Sequence, residues 1–214
     1  MEQYDGIVFT GGECAPPEVI KNLCSDGLFT VCADSGWEAA AQAGVRVDRF
    51  VGDFDSLRIP LPPSADVCRY PRAKDFTDTE AAFQAALEAG CRSVVLLGGG
   101  GGRMDHWMAL HSLFARLPQW RRWETKRESV FKIECGETWR PDAVKAPAVV
   151  SVFALTATAS VETGGFRWSL NGYPLNEFSF SLSNEIIDSQ ASLTVLSGTV
   201  AVTVPRTDAS PVSD

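Results

Sequence analysis

Ser93-Val94-Val95-Leu96-Leu97-Gly98-Gly99-Gly100-Gly101-Gly102-Arg103-Met104-Asp105 is the stretch that decides the fold. A short apolar run without polar alternation reads as a strand buried on both faces, and the glycines end it. Asp105 to Leu117 then places Leu110, Leu113, Phe114 and Leu117 on one helical face. Asp105 is positioned to cap that helix, and Pro118 follows its end. The same strand-then-helix grammar recurs upstream. Gly6 to Thr10 ends in Gly11-Gly12, Leu28 to Ala33 ends in Asp34-Ser35-Gly36, and Arg49-Phe50-Val51 ends in Gly52-Asp53-Phe54-Asp55. Glu38 to Ala43 is helix-prone. Phe76 to Ala89 carries an apolar stripe, with a capping-box spacing at Thr77 and Glu80 and Gly90 beyond it. Strands alternating with helices predict a parallel sheet covered on both faces.

Downstream of about residue 128 the helical patterns stop. Val149 to Leu155, Gly165 to Leu170, Phe178 to Leu182 and Leu193 to Val204 read as strands. Leu193 and Val195, then Val200, Val202 and Val204, alternate with small polar residues around Ser197-Gly198, which reads as a hairpin with one buried face. The expected organisation is an α/β domain over 1–127, an all-β antiparallel domain over 128–205, and a frayed polar tail over 206–214. The charged stretch Arg121 to Arg127 is the expected join.

The chain has 214 residues and a net charge of -8, which argues against a general binder of nucleic acid or anionic membrane. No apolar run reaches the roughly 20 residues of a membrane helix. The acidic start, Met1-Glu2-Gln3-Tyr4-Asp5, does not read as a signal peptide. Cys14, Cys24, Cys32, Cys68, Cys91 and Cys135 form no CxxC pair, and with two histidines a zinc site is not expected. Reduced thiols in a cytoplasmic protein are the expectation. His106 and His111 do not share a helical face and read as capping or packing residues.

The chemistry collects at strand ends. Asp34, then Asp53 and Asp55, then Arg103 and Asp105 each follow a predicted strand. Open parallel sheets bind ligands beyond those carboxyl ends. Clustered carboxylates without Cys or His call for a hard cation, and Mg²⁺ fits. Mg²⁺ leaves shell positions to water and phosphate, so the implied substrate is a nucleoside polyphosphate. D-x-D at 53–55 brings both acids to one metal if the chain turns there; it serves equally as a solvated turn. In Lys74-Asp75-Phe76-Thr77-Asp78-Thr79-Glu80, Asp78 and Glu80 either stabilise a helix start or, for Asp78, face the cleft. The glycine run reads as free N–H groups for phosphate, aided by an Arg103 fork. It is neither a Walker A loop nor GxGxxG.

GDFDS, KDFTDTE and GGRMDH, in this order and spacing, resemble thiamine pyrophosphokinase. Thr163-Gly164-Gly165-Phe166-Arg167-Trp168-Ser169-Leu170 is similar to the family's TxGxKWxL strand, and Ser181-Leu182-Ser183-Asn184-Glu185 to its SxSNE segment. Met104 and Asp34-Ser35-Gly36 depart mildly from its pattern. The resemblance implies a Rossmann-like, mostly parallel N-terminal domain and a C-terminal antiparallel β sandwich or roll. It implies an ATP:thiamine diphosphotransferase, Mg²⁺-dependent, releasing AMP, and a homodimer with active sites between subunits. By motif, Asp53, Asp55 and Asp78 become metal and catalytic carboxylates, with Lys74 and Asp75 nearby. Asp34, Gly101, Gly102, Arg103 and Asp105 would serve the nucleotide, and Ser183, Asn184 and Asp78 thiamine. Trp168 is a candidate aromatic wall, though a core anchor is the preferred reading. Two rival functions are a diphosphokinase for another alcohol, such as a hydroxymethylpterin, and an inactive nucleotide sensor.

Overall fold

The computed structural model describes residues 4–24, 27–55, 57–141 and 146–206. The first three residues of the acidic start, and all of the expected tail but Arg206, lie outside the described residues. The chain divides into two compact units, Met1–Arg127 and Glu128–Asp214. No helix among the described residues is long and apolar enough to cross a membrane.

In the first unit the elements run β1 (Gly6–Phe9), α1 (Pro17–Leu23), β2 (Phe29–Ala33), α2 (Gly36–Ala43), β3 (Arg49–Gly52), β4 (Val67–Arg69), α3 (Asp78–Glu88), β5 (Val94–Leu97), α4 (Met104–Arg116) and β6 (Trp120–Glu124). The strands lie in the order β6-β5-β1-β2-β3-β4, all parallel. The chain steps outward from β1 to β4 and then returns to the other flank of β1. The switch point, where such sheets open a ligand crevice, therefore lies between β1 and β5. Side chains alternate across the strands. Ile7, Phe9, Val95 and Leu97 meet Ile20 of α1 and Ala40 and Ala43 of α2 on one face. α3 packs over β1, β2 and β3 and buries Ala82, Phe83 and Ala86. Burying a phenylalanine such as Phe83 stabilises by about 1.5–3 kcal/mol.

Three expectations are corrected in this unit. The stretch expected as a join, Arg121 to Arg127, is mostly strand: its first four residues belong to β6, and the division between units falls at its far end. Its charges conceal a strand because Arg122 and Glu124 pair with each other, while Trp120 packs 4.9 Å from Phe83 and 4.8 Å from Phe114 between ring centroids. Asp105 does not cap α4. The N-cap is Arg103, and Asp105 sits in the first turn, its Oδ1 accepting from the His106 N–H at 3.0 Å. Half of the capping box forms at α3. Thr77 Oγ1 accepts from the Glu80 N–H at 3.1 Å, but the Glu80 carboxylate pairs with Arg116.

The second unit contains β7 (Glu128–Glu134), β8 (Thr138–Trp139), β9 (Ala148–Ala154), β10 (Ala159–Gly164), β11 (Tyr173–Leu175), β12 (Ser181–Ile186), β13 (Ser192–Ser197) and β14 (Thr199–Pro205). Antiparallel pairing gives two runs, β12-β9-β14-β7 and β11-β10-β13-β8. Ile133, Val150, Val152, Val161, Leu175, Leu193, Val195, Val200 and Val202 share one core. The expected hairpin at Ser197-Gly198 does not exist. β13 pairs with β10 and β8, whereas β14 pairs with β7 and β9. The chain turns a corner from one run to the other at Gly198, φ 72°, where an added Cβ would lie 2.3 Å from the Thr158 carbonyl oxygen. The apolar alternation was real, but both strands aim it at one shared core. Gly165 to Leu170 is not a strand either; only Phe166 makes an isolated bridge, to Ile186. The strand expected over Phe178 to Leu182 begins at Ser181.

Candidate active site

The acid-rich end of β3 is shaped by backbone before side chains. Asp34, just beyond β2, donates its N–H to the Val51 carbonyl at 2.9 Å, which sets it beside Gly52. Gly52 has φ 143°, and an added Cβ there would lie 3.3 Å from Asp34 Cβ and 3.3 Å from Asp78 Oδ1. A side chain there would crowd both acids and be strained at this φ. The chain then turns sharply. Phe54 has φ 61°, Asp34 has φ 47°, and Asp53 Oδ1 accepts from the Asp55 N–H at 3.2 Å. Left-handed positions cost about 1–3 kcal/mol each in non-glycine residues, and such strain gathers at working sites. The result is a group of carboxylate oxygens from Asp34, Asp53 and Asp55, all within 4.8 Å of one another. An oxygen-only donor set with three negative charges fits a hard divalent cation.

Asp78, which the sequence grouped with Asp53 and Asp55, stands next to this set and has its own cation. Lys74 Nζ lies 3.1 Å from Asp78 Oδ1, an ion pair of proximity without hydrogen-bond alignment. The Lys74 side chain is nearly buried, at 8% exposure, so the pair is shielded from solvent. Asp75 is exposed on the loop before α3. One residue into that helix, Thr79 Oγ1 meets Thr10 Oγ1 at 2.6 Å, which ties the start of α3 to the end of β1.

The glycine run departs from its expected role. The N–H groups of Gly98, Gly99 and Gly100 donate to the carbonyls of Glu124, Gly11 and Glu13. These three glycines serve close packing: a Cβ on Gly98 would lie 2.2 Å from the Thr10 carbonyl oxygen. Among the described residues only Gly101 and Gly102 of the run make no backbone hydrogen bond through N–H. Arg103 turns its fork onto Asp105, Nε to Oδ1 at 3.1 Å. That bond holds the exposed Asp105 carboxyl below the usual carboxylate range and raises the guanidinium.

Beside the glycine run and the loop after β1, a cavity of about 750 Å³ opens at the switch point. Thr10, Gly12, Ser35 and Gly100 line it, and Ala15, Ile20 and Ala39 give it an apolar wall. Ser35 adjoins Asp34 in sequence. The volume suits a nucleoside. Cys14 also lines this cavity. Burial pushes the nearby Cys24 thiol up to about 11 and also raises the Cys32 thiol well above its ordinary value, so neither is a nucleophile at neutral pH.

In the second unit Asn184 is fully buried and its amide is committed. Nδ2 donates to the Trp168 carbonyl at 2.7 Å and to Ser181 Oγ at 3.3 Å. Oδ1 accepts from the N–H groups of Trp168 and Glu185 at 3.2 and 2.8 Å. Trp168 is 55% exposed, so the core-anchor reading is corrected: Asn184 holds its backbone while the indole faces outward. Ser183 is exposed with φ 54°, at a register shift between Ser181 and Asn184. Arg69 escaped the sequence reading. It ends β4, level with Gly52, and its guanidinium carbon lies 5.0 Å from the centre of the Phe54 ring. Only the parallel pairing of β4, a three-residue strand, brings it there.

A parallel sheet with a carboxylate cluster and a nucleoside-sized cavity along one edge suits a transferase of phosphate groups. Residues 20–122 match the family model of the thiamin pyrophosphokinase catalytic domain, and residues 142–200 match that of its vitamin B1 binding domain. The chain belongs to the thiamin pyrophosphokinase family and is an enzyme of diphosphate transfer. Solved structures agree on the fold. A thiamin pyrophosphokinase from Geobacillus thermodenitrificans is 24% identical, with a TM-score of 0.74 over 95% of this chain and 99% of that one. One from Bacillus subtilis is 20% identical, with a TM-score of 0.77 over 94% and 99%. One from Candida albicans is 13% identical, with a TM-score of 0.70 over 94% and 89%. The search of curated proteins returned no match.

Proposed function

We propose that the chain transfers the terminal diphosphate of ATP to the hydroxyl of thiamine, giving thiamine diphosphate and AMP, with Mg²⁺ as its cation. The carrying observation is the convergence of Asp34, Asp53 and Asp55 within 4.8 Å at the switch-point edge. Those three residues would hold the cation, with Asp34 joining the pair that the D-x-D motif marked. Bound there, the cation would screen charge on the non-bridging oxygens of the phosphates. The chain's own residues do the rest. The cavity walls position the nucleoside, and the N–H groups of Gly101 and Gly102 face phosphate.

The acceptor oxygen bonds to the β-phosphorus as the bond from that phosphorus to the bridging oxygen of AMP breaks. AMP leaves with that oxygen, and the hydroxyl proton passes to a base. Asp78, held by Lys74, is the residue assigned to orient the hydroxyl and accept that proton. Because positioning supplies most of such catalysis, Asp78 need not be a strong base. Thiamine is a cation, and the exposed indole of Trp168 offers it a face. Ser183 would line that surface, with Asn184 acting through Trp168.

We further assign the working protein as a cytoplasmic homodimer whose thiamine-holding surface completes the site of the partner subunit. The apolar side chains of Phe178 and Leu182, 86% and 64% exposed, support a covered surface on the second unit. The deciding experiment is a product assay with protein, ATP, Mg²⁺ and thiamine that resolves AMP from ADP. AMP formed one-for-one with thiamine diphosphate is the expected result. ADP with thiamine monophosphate would mean transfer of one phosphate and overturn the proposal.

A further inference from the structure

We propose that Arg69 is a phosphate-binding residue for the β- and γ-phosphates of the nucleotide, and that Phe54 is the positioning residue that aims it. The inference rests on the reading of this edge as a nucleotide site. Arg69 stands beside carboxylates and pairs with none of those among the described residues. Arg69 ends β4 level with Gly52, so it stands beside the Asp53-Phe54-Asp55 turn. Among the described residues no carboxylate lies within ion-pair distance of its guanidinium. Its neighbours, Arg49 and Arg72, do have such partners, Asp66 and Asp55.

Arg69 has two weaker supports instead. Its guanidinium carbon stands 5.0 Å from the Phe54 ring centre, and its Nη1 makes a long, 3.5 Å contact with the Asp53 carbonyl oxygen. A ring face orients a guanidinium without occupying its donors, so most of the fork stays open. Three carboxylates facing one cation leave a polyphosphate with excess negative charge, and a planar fork is suited to phosphate oxygens. The left-handed Phe54 gains a purpose from this. The turn that gathers the acids also sets the half-buried ring, which packs against the core, beside the Arg69 guanidinium.

The test is calorimetric binding of ATP and of AMP to the full-length protein, in Mg²⁺ and again in EDTA. Arg69→Gln is expected to weaken ATP binding about tenfold or more, the worth of a charge-assisted hydrogen bond. AMP binding should stay within twofold, since AMP lacks the two phosphates concerned. Arg69→Lys, keeping charge without the fork, should fall between. Phe54→Leu should weaken ATP about threefold, and Phe54→Tyr, which keeps a ring, should restore it. Unfolding temperatures check that each variant is folded. ATP affinity within twofold of wild type in folded Arg69→Gln, or equal losses for ATP and AMP, would overturn the assignment. A wild-type protein that binds ATP with this pattern yet makes no thiamine product would uphold Arg69 and overturn the acceptor. One that binds no ATP would overturn both.

Discussion

The loops after β3 and β5 look alike in sequence and behave in opposite ways. Each leaves a buried parallel strand at the same sheet edge, and each carries glycine and polar residues. Gly52 at the end of β3, the left-handed Phe54 after it and the left-handed Asp34 after β2 direct three carboxylates toward one another. After β5, the first three glycines of the run turn their N–H groups inward onto Gly11, Glu13 and Glu124, and Arg103 closes on Asp105. The lesson is that ligand chemistry at a strand end depends on where the fold aims its polar groups. Composition cannot distinguish a loop that offers its donors from one that has already used them.

The strongest way to break this contrast is at the offered side. Asp55→Asn should lower kcat/KM by about a hundredfold or more, on the scale of removing one oriented electrostatic group, with the unfolding temperature unchanged. A folded variant with near-normal turnover would show that the carboxylate group is idle. The committed side should respond in stability. Gly98→Ala places a methyl 2.2 Å from the Thr10 carbonyl oxygen and forces a side chain to φ 106°, and about 3 kcal/mol of destabilisation is expected in denaturant melts. Gly102→Ala, at φ 75° with open space around it, should cost only about 1 kcal/mol. Equal costs at the two positions would erase the distinction between packed and open glycines.

Asn184 extends the contrast to the second unit. Asn184→Ala strands the N–H groups of Trp168 and Glu185, so a loss of about 2 kcal/mol in stability is expected. The accompanying rise in thiamine KM should exceed that for ATP. A change in thiamine KM without any change in stability would mean that Asn184 touches the acceptor directly. The mildest test is chemical. With its thiol near 11, Cys24 has roughly one thousandth of its population as thiolate at pH 8. Alkylation there should quicken about tenfold per pH unit up to that value, while the exposed Cys135 reacts first. A rate that levels off near pH 9 would mean that burial does not raise the Cys24 thiol.

Much of the parallel unit was legible because its signals are local. The apolar runs of β1, β2, β3 and β5 lack alternation, and Thr77 with Glu80 announces α3. What failed was information carried by partners distant in sequence. β6 was hidden because Arg122 and Glu124 cancel each other inside a strand that also buries Trp120 and Trp123. The turn at Gly198 was read as a hairpin because alternation reports which side chains are buried and not which strand lies alongside. At the site, the D-x-D motif found Asp53 and Asp55. The predicted strand ends placed Asp34 at the same edge, and β2–β3 pairing brings it to them, whereas Arg69 becomes visible only through β3–β4 pairing.

The pairing of β1 with β5 sets residue 6 beside residue 94. A ribosome releases the first of these long before the second. At about 5–20 residues per second, the nascent chain would carry β1 with one flank bare for roughly four to eighteen seconds. During that interval Gly6–Phe9 is an apolar strand with an open hydrogen-bonding edge, the kind of segment that attracts a neighbouring chain on a crowded polysome. Synthesis of this enzyme therefore depends on the β1 flank staying free of other chains until Val94 to Leu97 arrive to cover it.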